Sequence, residues 1–320
     1  MRNWLNTYRR YACDINRINL EAKENPEDFI HTAEKIFHSD IRQITDRIMD
    51  IPVKHHIIFL SGPSSSGKTT TGKKLEEAFE SKGCHTILIS MDDFYLGKDL
   101  IRKLPNGQYD FESVDALDIP LMKHSVEHIA KYGECDIPIY DFPNSKRSEN
   151  TRHIKLEENS VVIVEGIHAL NPIFDGTIPR EYVSKIYVAV KQGVKDNEDY
   201  VLTNREIRLI RRIIRDSSFR GTSPEKVINM WKGVVDGEQK NIRPYRYNSD
   251  FTLNTIHIYE PCIMKERIIE LLNKVDRESP AGKIAAPLID AMNRFEWIDS
   301  TFVPKNSLIR EFIGGGSYEY

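Results

Sequence analysis

The hydrophobic rhythm of the chain changes near residue 55. Before it, residues 1 to about 50 hold no glycine and one proline, Pro26, while Phe29, Ala33, Ile36, Phe37, Ile41, Ile44 and Ile48 recur every three or four positions. That spacing gathers apolar side chains on one helical face and predicts a helical preface over residues 1–52. After it, short continuous apolar runs take over. Residues 57–60, "IIFL", fit a strand buried on both faces of a parallel sheet. A glycine-rich loop follows, then "TTTGKKLEEAFESKG" reads as a helix closed by Gly83, and "HTILIS" as a second strand ending at "MDDFY". Strand, helix, strand is the unit of an α/β fold with right-handed crossovers.

Further along, Asn106-Gly107 signals a hairpin, and Tyr109 and Phe111 alternate beyond it, which predicts a protruding flap. "ALDIPLMKHSVEHIAKYG" returns to helix, whereas "DIPIYDF", residues 161–164 and "SKIYVAV" read as strands and residues 191–204 as a polar connection. In "REIRLIRRIIRD", Arg205, Arg208, Arg211, Arg212 and Arg215 fall on one arc at about 100° per residue, opposite Ile207, Leu209, Ile210, Ile213 and Ile214. "DFTLNTI" suits a last strand and "CIMKERIIELLNKVD" a further helix. The end, with Pro280, Pro287, Pro304 and "IGGGSYEY", reads as an extension, 279–320, with a flexible terminus.

Composition narrows the partners. With 320 residues, 40% of them hydrophobic, the chain can build a sizeable core, and a formal net charge of −3 leaves no global positive field for nucleic acid or an anionic membrane. Phosphate binding must therefore be local. Cys13, Cys84, Cys135 and Cys262 lie far apart without a CxxC pair, which fits a reducing, cytoplasmic setting better than a disulfide framework. The N-terminus lacks the uninterrupted apolar stretch of a signal peptide, and no run approaches about 18 apolar residues. A small-molecule substrate is the expected partner, and a homo-oligomer is compatible with the sequence.

The loop carries the chemistry. Gly62-Pro63-Ser64-Ser65-Ser66-Gly67-Lys68-Thr69 matches G-x-x-x-x-G-K-[ST] at every fixed position, between a strand and a helix as that motif requires. Glycines allow the backbone to wrap closely, the peptide N–H groups and the helix N-terminus face the phosphates, Lys68 adds a cation, and the Thr69 hydroxyl suits Mg²⁺. The reading is a P-loop NTPase fold, a mostly parallel sheet flanked by helices, that binds ATP with Mg²⁺ through Gly62, Ser64, Ser65, Ser66, Gly67, Lys68, Thr69 and Thr70. Asp92 and Asp93 end the next strand, where an acceptor-activating base collects in such sheets, although an acidic pair there also serves as a turn or cap. Glu165, ending the run 161–164, suits Mg²⁺ or its water, or a cap of the following segment. The arginine arc reads either as guanidiniums closing on a triphosphate, Arg211 and Arg215 foremost, or as a solvated face. "HSVEH", His124 to His128, matches a zinc-peptidase pattern and "NKVD", Asn273 to Asp276, a guanine-reading one, but nothing else calls for zinc, and "NKVD" is expected inside a helix with no D-x-x-G in the chain.

"GPSSSGKTT", "MDDFY", "GQYDFESVDALD", "IPIYDF", "VVIVEGIHAL" and "IRLIRRIIRD" followed by Arg220-Gly221 occur in that order. Together they resemble the uridine kinase branch of the uridine kinase and phosphoribulokinase family, over about residues 55 to 260. "AEKIFHSDIRQITDRI" and "NSLIREFIGGGS" are similar to flanks of the kinase portion of longer bacterial proteins with a synthetase-like N-terminal part. The resemblance implies a kinase domain over 53–278 that transfers the γ-phosphoryl group to a hydroxyl, with Lys68 and Arg211 assisting. Asp92 would activate the hydroxyl, Tyr95 help hold the substrate, Phe111, Tyr140 and Phe142 wall its pocket, and Glu112 meet the ribose hydroxyls. Arg208 and Arg211 would contact sugar and phosphates. In one departure, Ser145 stands where those enzymes place a base-reading histidine. A pyrimidine nucleoside is the first expectation for the acceptor, a polyol or sugar phosphate the second, and an NTP-binding regulatory protein the alternative of another class.

Overall fold

The computed structural model describes residues 8–103, 107, 109–141, 144–176 and 178–319. The Asp14 carboxylate accepts from the N–H groups of Asn16 and Arg17 and so opens α1 (Ile15–Glu24). In α2 (Pro26–Met49) the proline sits in the first turn, where its missing N–H breaks no bond. Then come β1 (His56–Ser61), α3 (Lys68–Glu80), β2 (His85–Ser90) and α4 (Ile119–Tyr132), the last capped by Asp118 and ended at Gly133, φ +79°. β3 (Glu134–Asp141) and β4 (Lys146–Lys155) form an antiparallel hairpin, followed by β5 (Ser160–Glu165) and β6 (Val183–Ala189). A small hairpin of β7 (Val194–Asp196) and β8 (Asp199–Leu202) leads to α5 (Asn204–Phe219), α6 (Pro224–Asn241) and β9 (Phe251–Asn254). α7 (Glu260–Leu272), α8 (Gly282–Asn293) and the single turn α9 (Arg310–Ile313) complete the chain.

The central sheet has the order β2-β5-β1-β6-β9, with every neighbouring pair parallel. β1, β5 and β6 are buried along their whole length, which is why their sequences are continuous apolar runs. Leu60 and Ser90 both pair with Glu165, so the carboxyl ends of β1, β5 and β2 lie side by side, and the segments that leave them converge on one crevice. One sheet face packs on α1, α2, α3, α5, α7 and α8 through Phe37, Ile48, Phe79, Ile213, Ile268 and Phe295. The other packs on α4 and the β3–β4 hairpin through Phe59, Phe94, Met122 and Ile137.

Five features depart from or add to the expectations. β4 is an added strand that is polar and exposed over most of its length, so no apolar alternation marks it. The connection 191–204 contains the β7–β8 hairpin, and α6 is a further helix whose apolar pattern is diluted by Gly233 and Gly237. α7 stops at Leu272, so "NKVD" follows the helix instead of lying inside it. The C-terminal extension is firmly docked, with Leu308, Ile309 and Phe312 fully buried. Of the hairpin signal, Asn106 lies outside the described residues. Beside it, Lys103 bridges Tyr109 antiparallel and the Asp110 N–H donates to the Arg102 carbonyl at 2.9 Å, so the flap's two limbs do return on each other.

Candidate active site

The loop between β1 and α3 packs so tightly that its glycines are required. A Cβ on Gly62 would lie 2.2 Å from the Val188 carbonyl oxygen, and Gly67 has φ +84°, beside Ser65 at φ +58°. Two of its carbonyls and one hydroxyl are braced from α5. Arg208 Nε donates to Ser64 O at 2.9 Å, Arg211 Nη1 to Ser65 O at 3.4 Å, and Arg212 Nη1 to Ser64 Oγ at 2.8 Å. With their carbonyls held on that side, the loop's peptides are free to present N–H groups to the other.

That other side is a cavity of about 180 Å³. From the loop come Ser64, Ser65, Gly67, Lys68 and Thr69, from the end of β2 Asp92 and Tyr95, from the flap Glu112, and from the end of β5 Glu165. Gly166, Ile167, Arg215, Arg220 and Glu311 complete the lining. Lys68 folds back toward the Pro63 carbonyl at 3.4 Å. The acidic pair divides its labour. Asp93 Oδ1 accepts from the Tyr140 N–H at 3.3 Å and fastens the β3 hairpin, whereas Asp92 faces the cavity. Burial pushes the Asp92 carboxyl up, against the opposing attraction of Lys68. Glu112 is raised in the same way, against Arg212 and Lys68. Burial pushes Glu165 up to about 7, with Asp92 and Glu311 adding to the rise and Lys68 opposing it.

Of the remaining expected residues, Tyr95 lines the cavity and Phe111 and Tyr140 gather on its ring. Tyr95 meets Phe111 edge-on at 5.6 Å and Tyr140 at 5.8 Å, an aromatic corner between flap and hairpin. Phe142 lies outside the described residues. Gly62 and Ser66 of the loop and Thr70 in the first turn of α3 are buried and do not line the cavity. Arg208 and Arg211 depart from the single exposed arc: both are buried, Arg208 pairing with Glu238 at 2.7 Å and Arg211 with Glu260 at 2.6 Å, because α6, α7 and the C-terminal turn cover that side of α5. They act on the loop from behind and do not line the cavity. Arg215 does, alongside Arg220, and both are anchored by the buried Asp216, 2.8 and 3.6 Å away. Asp216, Arg220 and Glu311 are missing from the sequence reading of the site. Arg220 had a signal in the Arg220-Gly221 pair, whereas nothing local marks Glu311.

The site suits a magnesium nucleotide on grounds of its own. Ser65 Oγ, Ser66 Oγ and Glu165 Oε2 are buried without a hydrogen-bond partner among the described residues, acceptors and donors awaiting something polar. Among the described residues no group of three His, Cys, Asp or Glu side chains is placed to hold a metal. His124 and His128 do share a helix face, 5.4 Å apart, but His128 Nδ1 is engaged by the Glu134 carbonyl at 2.7 Å.

The model of the phosphoribulokinase / uridine kinase family matches residues 57–258. The chain belongs to that family. Like the other members of the phosphoribulokinase / uridine kinase family it is a kinase with an alcohol group as acceptor. It is 30% identical over 179 residues to the uridine kinase of Lactobacillus johnsonii, covering 56% of this chain and 76% of the relative. It is 33% identical over 182 residues to that of Bacillus pumilus, with the same coverages. The solved phosphoribulokinase of Rhodobacter spheroides aligns with a TM-score of 0.45 at 18% identity, over 64% of this chain and 74% of that one. Among the described residues no helix is long and apolar enough to cross a membrane.

Proposed function

We propose that the chain is an ATP- and magnesium-dependent kinase acting on the 5′-hydroxyl of a pyrimidine nucleoside, uridine or cytidine. The observation that carries this reading is the sharing of one cavity by Lys68, the Asp92 carboxylate and Glu165. The uridine kinase relatives support the choice of acceptor. The loop peptides and Lys68 would hold the nucleotide's phosphates, Thr69 and Glu165 the magnesium, and Arg215 with Arg220 would face the phosphoryl group. Bound magnesium nucleotide supplies an activated phosphoryl group with part of its charge neutralised. Asp92 takes the proton of the acceptor hydroxyl on its carboxylate, and its burial strengthens its hold on that proton. Tyr95, Phe111 and Tyr140 would wall the acceptor, and Glu112 would accept from its sugar hydroxyls.

A second acceptor class, a polyol or sugar phosphate, is favoured by a neighbouring cavity. It measures about 600 Å³ between flap and α6, and Arg102, Arg212 and Lys240 line it, while Ser145 offers the base no imidazole. Coupled ADP formation with nucleosides, polyols and sugar phosphates decides between the two classes. Asp92→Asn should cut turnover by about 10²–10⁴-fold while calorimetric ATP binding persists. Undiminished turnover in Asp92→Asn would overturn the role of Asp92.

A further inference from the structure

The C-terminal extension reaches the phosphate loop itself. Leu308 covers Gly67 so closely that a Cβ there would lie 2.6 Å from Leu308 Cδ1. Phe312 sits against the Arg211 guanidinium, 4.9 Å from ring centre to the guanidinium carbon. Between these two anchors Glu311, 8% exposed, turns its carboxylate into the first turn of α3. Its Oε2 accepts from Thr70 Oγ1 at 2.7 Å and from the Thr70 N–H at 3.3 Å, and the same side chain lines the cavity that holds Lys68, Asp92 and Glu165.

The first N–H groups of a helix have no partner within it and draw anions, which is how a loop of this type grips phosphate. In α3 the next amide, Thr71, already donates to the Gly67 carbonyl at 3.0 Å. The Thr70 amide is therefore the last outward donor of that turn, and a carboxylate of the chain has taken it. A nucleotide phosphate brought to the same turn meets a like charge at a donor already engaged, in a site where burial weakens screening.

We propose that Glu311 is a built-in competitor of the nucleotide: its carboxylate holds a phosphate-binding donor, so nucleotide binding drives residues 308–314 off the loop. This rests on the reading of the loop as the nucleotide site given above. Glu311 thereby sets nucleotide affinity from outside the strand-loop-helix unit, and ties the state of the C-terminal extension to the state of the site. A permanent helix cap would behave oppositely, because its removal would loosen the loop and weaken binding.

The experiment is calorimetric binding of ADP to the full chain, unaltered and as Glu311→Gln, which keeps side-chain size and the hydrogen-bond acceptor but removes the charge. Binding about tenfold tighter in the variant is expected. Equal or weaker binding overturns the inference alone. Absence of ADP binding in both proteins overturns the reading of the loop, and the inference with it. A second measurement does not depend on the variant's folding: trypsin cleavage after Arg310 in the unaltered chain should accelerate severalfold at saturating ADP, and protection of that bond overturns the proposal.

Discussion

Arg211 and Glu260 form a two-pronged ion pair with almost no solvent exposure, Nε to Oε2 at 2.6 Å and Nη2 to Oε1 at 2.9 Å, and the same guanidinium reaches the Ser65 carbonyl. It also donates to Thr255 O at 2.7 Å, while the His257 N–H donates to Glu260 at 3.0 Å. The loop's shape is thus set from inside, by α5 and the start of α7. Removing one partner strands a charge in the interior, which costs about 3–5 kcal/mol. Glu260→Ala should therefore lower the urea midpoint and weaken nucleotide binding together, and Arg211→Lys should do the same because an ammonium cannot span both carboxylate oxygens and two carbonyls. If Arg211→Lys slowed turnover at unchanged stability and unchanged nucleotide affinity, Arg211 would act on the transferring group after all.

If Glu165 holds the magnesium as proposed, magnesium binding should depend on pH. Its carboxyl, pushed up to about 7 chiefly by burial, carries a proton below that pH, and a cation must displace the proton to bind there. Affinity for magnesium nucleotide should rise from pH 6 to pH 8 and level off above. Glu165→Gln has no proton to release, so its affinity should be low and flat across the same range. An equally steep pH profile in Glu165→Gln would assign the titration to another group.

Much of this site was legible because its chemistry is local. The spacing of Gly62, Gly67 and Lys68, the strand ending at Asp92 and the strand ending at Glu165 are each contained in a few residues, and the sheet brings them together by register. What stayed hidden depends on distant packing. The periodicity of α5 gave Arg208 and Arg211 a common outward arc, but periodicity cannot tell solvent from a covering helix, and here α6, α7 and the C-terminal turn cover it. Position along the chain leaves Asp92 and Asp93 equivalent and only the family resemblance favours Asp92; in the fold the Tyr140 amide of the β3 hairpin claims Asp93. Glu311 is 241 residues from its partner Thr70, so no spacing could have paired them.

Glu34 ties the flanking segments to the core, and its ionisation should appear in the protein's acid stability. From α2 it accepts from the hydroxyls of Tyr259, beside α7, and Ser307, in the C-terminal extension, with the His257 ring 3.6 Å away and His38 and Lys74 nearby. Burial pushes the Glu34 carboxyl up, but His257 and the two hydroxyls outweigh it and hold it below the ordinary carboxylate value. A carboxylate whose folded value is depressed stabilises fully above its unfolded value of about 4.3, and loses that contribution as pH falls through the folded one. At pH 7 Glu34→Gln should therefore be less stable than the unaltered chain by about 1–3 kcal/mol. The gap should close between about pH 5 and pH 3, where only the unaltered chain gains a proton at this position on unfolding. Urea midpoints of both proteins across that range measure it, and a gap that stayed constant with pH would show that Glu34 contributes through packing and not through its charge.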